Sequence, residues 1–465
     1  MDTNEKRRVF LYGFTGEFGQ HLYDNLKQDY EVCHWISTSE GADNYWSYVR
    51  VDSRLTTKHK SIKALQNYEH FYDKNFQQYL LLVQRRGEHW RDYFEVRNEF
   101  SILYYRFNDL LDKHDPNLIL FANLPHEGAD HILYSLAKLR EINTLLFYQS
   151  LHPNKFFAMT NIKDFGDFQT VNVSKTNNIV PYIKPNLFYM KDVNNKLDAE
   201  KSNLRHQLMY KLGSYHTKLN KLVEGIKEHG NDRIYSKSFY RQANLRLNDI
   251  IYNKKISDTH LKQDDLNQLL TSEKLIYVPL HLQPELTTSA LGGIYEDQLN
   301  MIEILSSETS DYTIVAKENP KQNSFQRKPL FFRRLAVLDN VEIANYDVNS
   351  TTLIEHSNLT ATISGTAGWE ALQLGKKCMV FGQAWYQTLP GCYRYSDISL
   401  KECLRVPNPN IVEVKGAYEL LIGRCMDGVV DEEYSELVEG YTALNNAKVV
   451  SESIKAILSS PRVLW

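Results

Sequence analysis

The stretch of sequence that decides the fold is Thr360-Ala-Thr-Ile-Ser-Gly-Thr-Ala-Gly-Trp-Glu-Ala-Leu372. Its first four residues are apolar or β-branched and predict a buried strand, whereas the apolar spacing of its second half predicts a helix. The small residues between them, Ser364, Gly365 and Thr366, predict the turn that joins the strand to the helix. A strand, a glycine turn and a helix in this order are typical of a parallel α/β sheet.

The same alternation of strands and helices extends along the chain on both sides of this stretch. In the second half, strands are predicted at 275–280, 312–316, 341–344, 360–363 and 377–381, with helices at 296–305, 351–356 and 367–374. In the first half, strands are predicted at 9–12, 31–36, 118–122 and 144–148, with helices at 20–26, 60–115 and 132–139. Each half therefore predicts a doubly wound sheet of Rossmann type.

These two halves lead to a division into domains. We predict an N-terminal Rossmann-like domain over residues 1–195 and a polar helical connector over 196–270. A C-terminal Rossmann-like domain follows over 271–440, and a last helix over 441–465 is expected to pack back on the N-terminal domain. The predicted fold class is therefore α/β, and two such domains account for a chain of 465 residues.

Composition and charge exclude several functional classes. The 54 basic and 57 acidic residues give a net charge of −3, which does not supply the positive surface that wraps duplex nucleic acid. The five cysteines are odd in number and form no CxxC pair, so neither a disulfide framework nor a zinc ribbon is predicted. The sequence shows no signal-peptide pattern and no run of about 18 apolar residues. We therefore expect a cytoplasmic protein that contacts a membrane only peripherally.

The turn at Ser364 is the first candidate site. Backbone N–H groups at the start of the following helix point toward the carboxyl end of the strand, where they and the helix dipole stabilise a phosphate. Ser364 and Thr366 add hydroxyl donors, and Gly365 lets an anion approach the backbone. One turn later, Glu370 is placed to accept hydrogen bonds from a ribose diol. The alternative is a plain helix N-cap, but the position of the turn in a Rossmann-like half favours a nucleotide.

Two further loops of the second half follow predicted strands and carry polar residues. In the first, Pro279-Leu-His-Leu-Gln-Pro-Glu285, the carboxylate of Glu285 suits a general base or a nucleophile. Alternatively, Glu285 is a surface acid and His281 is a histidine of the core. In the second loop, Ala316-Lys-Glu-Asn-Pro320, Lys317 can neutralise a phosphate, although such Lys-Glu pairs are commonly solvated.

In the first half, Asn123-Leu-Pro-His-Glu-Gly-Ala-Asp-His131 places two imidazoles and two carboxylates after a strand. A histidine beside a carboxylate can remove a hydroxyl proton near neutral pH. A metal site is a rival interpretation, but the spacing of His126 and His131 puts their rings on different faces of a helix. The third alternative is a helix N-cap whose polar groups bond to one another.

Two other motifs point to different ligands. The turn Gly13-Phe-Thr-Gly-Glu-Phe-Gly19 looks like a nicotinamide-binding turn, but Glu17 would repel phosphates and the next strand lacks the acid that binds ribose. We therefore interpret it as a flexible turn beside an interdomain cleft. The segment Arg327-Lys-Pro-Leu-Phe-Phe-Arg-Arg334 mixes cations with aromatic residues. It fits either docking on anionic lipid or a helix with one solvated face.

The segments of the second half together resemble the bacterial capsule polysaccharide biosynthesis family. That family includes Kdo transferases and related enzymes that move acidic nine-carbon sugars from CMP. The resemblance is carried by His281-Leu-Gln-Pro-Glu285, Lys317-Glu-Asn-Pro320, Ile363-Ser-Gly-Thr-Ala-Gly-Trp-Glu-Ala-Leu372 and Val380-Phe-Gly382. It implies a GT-B fold, in which two Rossmann-like domains face a cleft. The donor nucleotide would then bind the C-terminal domain and the acceptor the N-terminal one.

The resemblance also implies roles for particular residues. The turn Ser364-Gly-Thr366 matches the positions that hold the donor phosphate, and Glu370 lies on the helix that follows. The chain departs from the family at Asn319-Pro320, which replaces a His-Pro pair. An asparagine cannot be cationic, so it would bind the nucleotide only as a neutral amide. It departs again at Glu285, which replaces an aspartate and carries its carboxylate one methylene farther out.

The leading hypothesis is a GT-B glycosyltransferase that moves Kdo or a nonulosonic acid such as pseudaminic acid from a CMP-activated donor to a growing surface or capsular glycan. A UDP- or GDP-sugar donor, a nicotinamide-dependent oxidoreductase and a non-catalytic glycan-assembly protein are the alternatives. We expect no metal and no cofactor, and the partners are the nucleotide sugar and an oligosaccharide or lipid-linked acceptor. The predicted catalytic residues are Glu285, His126, Glu127 and Asp130. The predicted donor-binding residues are His281, Gln283, Lys317, Asn319, Pro320, Ser364, Gly365, Thr366, Ala367 and Glu370.

Overall fold

The computed structural model describes two mostly parallel sheets and the helices that connect their strands. The described residues are 7–45, 62–83, 93–173, 261, 263–271, 274–283, 285–319, 321–322, 327, 329–344 and 348–465. Most of the helical connector predicted over 196–270 lies outside these residues. Near its end the structure describes a helix over Gln263–Leu270.

The first sheet has seven strands in the order β13-β6-β5-β4-β1-β2-β3. They are β1 (Arg8–Tyr12), β2 (Glu31–Ser37), β3 (Asn44–Tyr45), β4 (Leu118–Phe121), β5 (Asn143–Gln149), β6 (Lys155–Met159) and β13 (Met426–Asp427). Parallel pairs join β1 to β2 and β4, β2 to β3, and β4 to β5, whereas β6 is antiparallel to β5 and β13. The sequence pattern does not predict β3, β6 and β13, because β3 and β13 have only two residues each and β6 lacks alternation.

The second sheet has six strands in the order β12-β11-β10-β7-β8-β9. They are β7 (Leu275–Pro279), β8 (Thr313–Lys317), β9 (Val341–Ala344), β10 (Leu359–Thr362), β11 (Cys378–Val380) and β12 (Cys392–Arg394). Parallel pairs join β7 to β8 and β10, β8 to β9, and β11 to β12. The sequence pattern predicts these strands to within a residue of their observed ends, except for β12, which it does not predict.

Several of the described helices begin after a residue whose side chain caps their first turn. They are α1 (Gly16–Asp29), α2 (Ile62–Val83), α3 (Tyr93–His114), α4 (Ala129–Leu139), α5 (Gln263–Leu270), α6 (Gln298–Glu308), α7 (Pro329–Leu335), α8 (Ser350–His356), α9 (Thr366–Gln373), α10 (Leu400–Arg405), α11 (Ile411–Ile422) and α12 (Ala443–Ser459). Short 3₁₀ turns cover Ile162–Asp164, Gly293–Glu296 and Glu432–Leu437, and a π-helical turn covers Leu286–Ala290. Side chains that accept a first-turn N–H fix five of the starts: Asp297, Asn349, Ser399, Asn410 and Thr442.

The chain divides into two compact units whose boundaries differ from the predicted domains. The first unit comprises Met1–Lys184, Pro284–Glu296 and Ile363–Trp465. The second comprises Pro185–Gln283 and Asp297–Thr362. Residues 363–440, which the sequence analysis assigns to the C-terminal domain, thus group with the first unit. This grouping joins segments that are far apart in the chain, and local sequence patterns do not report such contacts.

The core of the first unit includes one face of α1 and one face of α12. Leu22 and Leu26 of α1 are four residues apart, so they lie on the same face of the helix, and both are buried. Ile454 and Ile457 of α12 are buried in the same cluster, together with apolar residues of β1, β4 and β5. Burying each such side chain contributes about 1.5–3 kcal/mol relative to its exposure to water. The last long helix of the chain therefore packs beside α1 within this unit.

These sheets confirm the predicted α/β, GT-B-like class. The feature that positions functional groups is the carboxyl edge of each sheet, because the turns that follow parallel strands meet there. That two domains face each other across a cleft stays a prediction.

Two glycines inside helices of the first unit provide a test of its packing. A Cβ at Gly368 in α9 would lie 2.3 Å from the Tyr386 hydroxyl oxygen, whereas a Cβ at Gly416 in α11 would meet no atom within 4 Å. We expect Gly368→Ala to lower the free energy of unfolding, because α9 or Tyr386 must shift. Gly416→Ala should raise it by up to about 1 kcal/mol, the difference in helix propensity between the two residues. Urea unfolding measures both values, and effects of equal sign would contradict the packing of α9.

Candidate active site

A polar cavity of about 430 Å³ lies in the first unit, at the carboxyl ends of β1 and β4. We call it the histidine cavity. It is lined by residues 12–15, 121–123, His126, Glu127, Asp130, Leu286 and 430–433. Since β1 and β4 are parallel neighbours, the turns that follow them meet at one edge of the sheet.

The turn after β1 forms one wall of this cavity and is held by hydrogen bonds. Gly13 has a φ of +82° and Phe14 a φ of +55°, a left-handed conformation that glycine adopts more readily than phenylalanine. The Trp35 indole N–H donates to the Gly13 carbonyl at 2.9 Å, and the Ser37 hydroxyl donates to the Phe14 carbonyl at 3.0 Å. Instead of the predicted flexible turn, the chain therefore forms a fixed one.

Asp130 organises the turn after β4. Its carboxylate accepts hydrogen bonds from the backbone N–H groups of His126 at 2.7 Å, Glu127 at 2.8 Å and His131 at 2.7 Å. Gly128, with a φ of +98°, lies inside the same turn, where a Cβ would come within 2.8 Å of Val83. Because both of its oxygens accept these bonds, Asp130 fixes the backbone of the turn, and its predicted catalytic role stays a prediction.

His126 and Glu127 form a buried pair on this turn, with 8% and 3% of their surfaces exposed. The His126 Nδ1 atom is hydrogen-bonded to the Leu124 carbonyl, which only accepts, so Nδ1 carries a proton. The Nε2 atom lies 3.4 Å from Glu127 Oε1. A proton that arrives at Nε2 is therefore shared with a carboxylate. The pair can accept one proton from a hydroxyl and stabilise the resulting imidazolium.

The histidine cavity is acidic. Besides Glu127 and Asp130 it is lined by Asp431, Glu432 and Glu433, and none of its described lining residues is Lys or Arg. Burial raises the pKa of Asp431 and of Glu432. Such a wall accepts hydrogen bonds from hydroxyl groups and repels anions. Sequence reasoning missed the three acids at 431–433, because they lie far from the histidine in the chain.

Glu285 begins the π-helical turn Leu286–Ala290 as its N-cap residue. Its backbone N–H donates to the Thr288 hydroxyl oxygen at 3.3 Å, which closes the start of the turn. The adjacent Leu286 lines the histidine cavity. The structure therefore brings the segment of the predicted carboxylate Glu285 to the same part of the first unit as His126.

The turn between β10 and α9 has partners that sequence reasoning did not foresee. The Ser364 hydroxyl donates to the Thr287 carbonyl at 2.6 Å, and the Tyr386 hydroxyl donates to the Gly365 carbonyl at 2.5 Å. The Ser364 proton is thus used within the protein, and its predicted donation to a phosphate stays a prediction. Gly365 is the N-cap residue of α9. The first N–H groups of α9, beginning with Thr366, have no acceptor inside the helix and remain suited to an anion.

The helix that follows this turn is anchored by aromatic packing. Trp369 is buried and stacks on Tyr418 of α11, with ring centroids 4.9 Å apart. This contact fixes the direction of α9 and therefore of the N–H groups at its start. Ala367 and Glu370 both lie on α9, as predicted, and both are partly exposed.

In the second unit, a buried arginine holds the loops that follow β7 and β8. Arg327 is only 2% exposed. Its Nε atom donates to Glu318 Oε2 at 2.8 Å. Its two terminal nitrogens donate to the His281 carbonyl, at 3.0 Å, and to Gln283 Oε1. Separating a buried ion pair leaves an uncompensated charge and costs free energy. The pair of Arg327 and Glu318 therefore holds both loops in place.

His281 is a buried histidine of the second unit, as one of the two sequence interpretations has it. Burial, with a smaller effect of the Arg327 guanidinium, lowers the pKa of His281 to about 4, so the imidazole is neutral at pH 7. Its Nε2 atom is hydrogen-bonded to Thr362 Oγ1 at 2.8 Å. Gln283 is buried as well, and its backbone N–H donates to Gln322 Oε1 at 2.8 Å. Their predicted contact with a donor stays a prediction.

The loop after β8 carries the other predicted donor-binding residues of the second unit. Lys317 Nζ donates to the Ser350 hydroxyl oxygen at 2.9 Å. The side-chain carbonyl of Asn319 accepts from the Lys321 backbone N–H at 2.9 Å, which closes a local turn. Pro320 lies outside the described residues. This arrangement places Lys317 at the carboxyl end of β8, as predicted.

The segment 327–334, for which lipid docking was one interpretation, is engaged in ion pairs at both ends. Arg327 is buried against Glu318, so the cation at this end of the segment faces the protein interior, and docking of the segment on lipid stays a prediction. Arg334 pairs with Glu303 at 2.9 Å and with Asp297 at 2.5 Å. Among the helices that the structure describes, none combines the length and the apolar character needed to span a bilayer.

A second cavity of the first unit, of about 410 Å³, has the opposite charge. We call it the arginine cavity. Two cations line it, Lys163 and Arg394, with one acid, Asp167, the glycine pair at 292–293 and Tyr295. Arg394 also pairs with Asp397 at 2.6 Å, which partly compensates its charge, and the two cations together suit a ligand with a single negative charge, such as a carboxylate. Sequence reasoning missed this cavity because its walls come from three distant segments.

In the described part of the chain, no group of three or more His, Cys, Asp or Glu is arranged to hold a metal ion.

Comparison with known proteins gives one family match. Residues 216–396 match the family described as "Capsule polysaccharide biosynthesis protein", which confirms the resemblance drawn from the motifs. A comparison with curated proteins gives no match.

Solved structures similar to this chain include two KpsC enzymes of Thermosulfurimonas dismutans. The beta Kdo 2,7 transferase is 13% identical, with 78% of this chain and 97% of that chain covered and a TM-score of 0.32. The beta Kdo 2,4 transferase is 17% identical, with 33% of this chain covered and a TM-score of 0.23, and the match spans 44% of that chain's length. The UDP-GlcNAc 2-epimerase of Neisseria meningitidis is 13% identical, with 96% and 99% covered and a TM-score of 0.22.

The buried His281 makes a prediction about pH. Its pKa of about 4 in the folded chain is below the value of about 6.5 expected after unfolding. The stability associated with the neutral imidazole is therefore complete above pH 6.5 and is lost as the pH falls toward 4. The variant His281→Gln keeps a polar group near Thr362 but has no imidazole to protonate. We therefore expect its free energy of unfolding to fall less steeply with decreasing pH than that of the wild type, by about 1.4 kcal/mol per pH unit over this window. Urea unfolding at pH 7 and pH 5 measures the slope, and a slope equal to that of the wild type would contradict the assignment.

Proposed function

Because residues 216–396 match the capsule polysaccharide biosynthesis family, we propose that this chain is a glycosyltransferase of capsule assembly. The donor in this proposal is a CMP-activated acidic sugar, Kdo or a nonulosonic acid such as pseudaminic acid, and the acceptor is a growing surface glycan. The observation that carries the proposal is the buried His126–Glu127 pair at the carboxyl edge of the first sheet. Glycosyl transfer to a hydroxyl releases the hydroxyl proton, which such a pair can accept.

In the proposed reaction, the acceptor is activated in the histidine cavity. The acceptor oxygen attacks the anomeric carbon, the bond from that carbon to the phosphate oxygen breaks, and CMP leaves. The hydroxyl proton passes to Nε2 of His126, and the carboxylate of Glu127, 3.4 Å away, stabilises the imidazolium. The acidic segment 431–433 accepts hydrogen bonds from the other hydroxyls of the acceptor. Glu285, beside the same cavity, supplies the carboxylate that stabilises the oxocarbenium-like centre or attacks it.

The donor is proposed to bind at two places of the first unit that suit an anion. Its phosphate accepts hydrogen bonds from the N–H groups at the start of α9 and from the Thr366 hydroxyl, and Glu370 accepts from the ribose. Its sugar carboxylate is neutralised in the arginine cavity by Lys163 and Arg394. The donor contacts predicted for the loops after β7 and β8 belong to the second unit and stay a prediction. With the anionic charge met by these groups, the proposal includes no metal and no cofactor.

Replacing His126 by Gln tests the proposed base. We expect turnover, measured as CMP released from CMP-Kdo or CMP-pseudaminic acid with a capsular glycan acceptor, to fall about 10²- to 10⁴-fold. The dissociation constant for CMP should change little, because the base acts on the acceptor. His131→Gln is the matched control, since His131 is not a lining residue of the histidine cavity. Wild-type turnover in His126→Gln, once an active substrate pair is known, would refute the role of the pair.

Replacing Thr366 by Val tests the proposed phosphate site. The change removes a hydroxyl but keeps the shape of the side chain, so we expect the affinity for CMP to fall about tenfold, the equivalent of about 1.4 kcal/mol. Ser364→Ala is the matched control, because the Ser364 hydroxyl already donates to the Thr287 carbonyl. Isothermal titration with CMP compares the two variants. A larger loss in Ser364→Ala than in Thr366→Val would place the phosphate elsewhere.

A further inference from the structure

Two cysteines face each other on neighbouring strands of the second sheet. β11 and β12 are parallel, and Cys378 is the register partner of Cys392. Neighbouring strands lie about 4.8 Å apart, which falls within the Cα separation of about 4.4–6.8 Å that a disulfide spans. Register partners also direct their side chains to the same face of the sheet. The Cys378 thiol is already hydrogen-bonded to the sulfur of Cys392.

The two thiols differ in their access to solvent. Cys378 is fully buried. Cys392 is partly exposed and lines an open cavity of about 490 Å³, together with Thr388, Arg394 and Asp397. A small oxidant therefore reaches Cys392 first, and Cys378 is the sulfur placed behind it. The pair combines an accessible thiol with a resolving thiol, the arrangement that favours reversible disulfide formation over irreversible oxidation.

We propose that Cys378 and Cys392 form a reversible intramolecular disulfide when the protein meets a peroxide. In the first step the Cys392 sulfur attacks one oxygen of hydrogen peroxide, the O–O bond breaks, and water leaves after one proton transfer. In the second step the Cys378 sulfur attacks the sulfenic acid, the S–O bond breaks, the S–S bond forms, and a second water leaves. Two thiols and one peroxide thus give one disulfide and two waters, and a dithiol reductant reverses the change.

The rate of disulfide formation should depend on pH. Burial is the main cause that raises the pKa of the Cys378 thiol well above its ordinary value. The thiolate is the attacking form, so the second step is slow near neutral pH and becomes faster as the pH rises. Disulfide formation at pH 9 should therefore exceed that at pH 7 for the same exposure to peroxide.

The bond would act on the arginine cavity. β11 continues into Phe381 and Gly382, and β12 ends at Arg394, and all three residues line that cavity. A covalent link between the strands would hold these walls together. The bond closes a short loop of the chain, from which we expect a higher thermal midpoint in the oxidised protein. The inference does not depend on the proposed transferase activity.

The test uses the full chain, exposed to hydrogen peroxide at pH 7 and pH 9, unfolded in acid, alkylated and digested with trypsin. Residues 378–394 contain no internal Lys or Arg, so both cysteines fall in one tryptic peptide. We expect this peptide to lose two hydrogens in mass and to remain unalkylated, with both alkylation sites restored by a dithiol reductant. Chymotrypsin, which cuts between the two cysteines, should leave the fragments joined.

Three variants make the assignment specific. Cys392→Ser should keep Cys378 fully alkylatable after the same exposure. Cys403→Ala and Cys425→Ala are the matched controls, because both remove a buried cysteine and should leave the loss of two thiols unchanged. A peptide that remains alkylated at both positions, or a fragment joined to Cys403 in place of Cys378, would overturn the proposal.

Discussion

Parallel pairing of the strands is the constraint on which the rest of this protein depends. It sends the carboxyl ends of neighbouring strands to one edge of each sheet, so the turns that follow them come together. β1 and β4 pair in parallel, and their two turns form the walls of the histidine cavity. β7 and β8 pair in parallel, and their two loops meet around Arg327. In both units, residues far apart in sequence become neighbours for this reason.

One charged side chain then fixes each set of turns. Asp130 accepts three backbone N–H groups and so fixes the backbone that carries His126 and Glu127. Arg327 is a hydrogen-bond donor where Asp130 is an acceptor: its guanidinium donates to Glu318 and to groups of the loop after β7. A buried charge is stable only when such bonds surround it, so each network is rigid and sensitive to the loss of a single partner.

Charge distinguishes the histidine cavity from the arginine cavity. The histidine cavity has an acidic wall that includes Asp431 and Glu432, whereas the arginine cavity is lined by the cations Lys163 and Arg394, the second of which pairs with Asp397. Hydroxyl groups and anions therefore have different preferred places within one compact unit. This separation agrees with a reaction that joins a neutral hydroxyl to an anionic sugar.

The sequence by itself determined the α/β class, the alternation of strands and helices and the position of the turns at Ser364 and His126, because periodicity and glycine turns are local properties. It also placed Glu285, which precedes the cavity-lining Leu286. Only the tertiary structure decided that Ser364 donates to Thr287 and that Arg327 is buried. It alone brought the acids at 431–433 to the histidine. These outcomes depend on contacts between distant segments, and the energies of burial and hydrogen bonding are settled only when those segments meet.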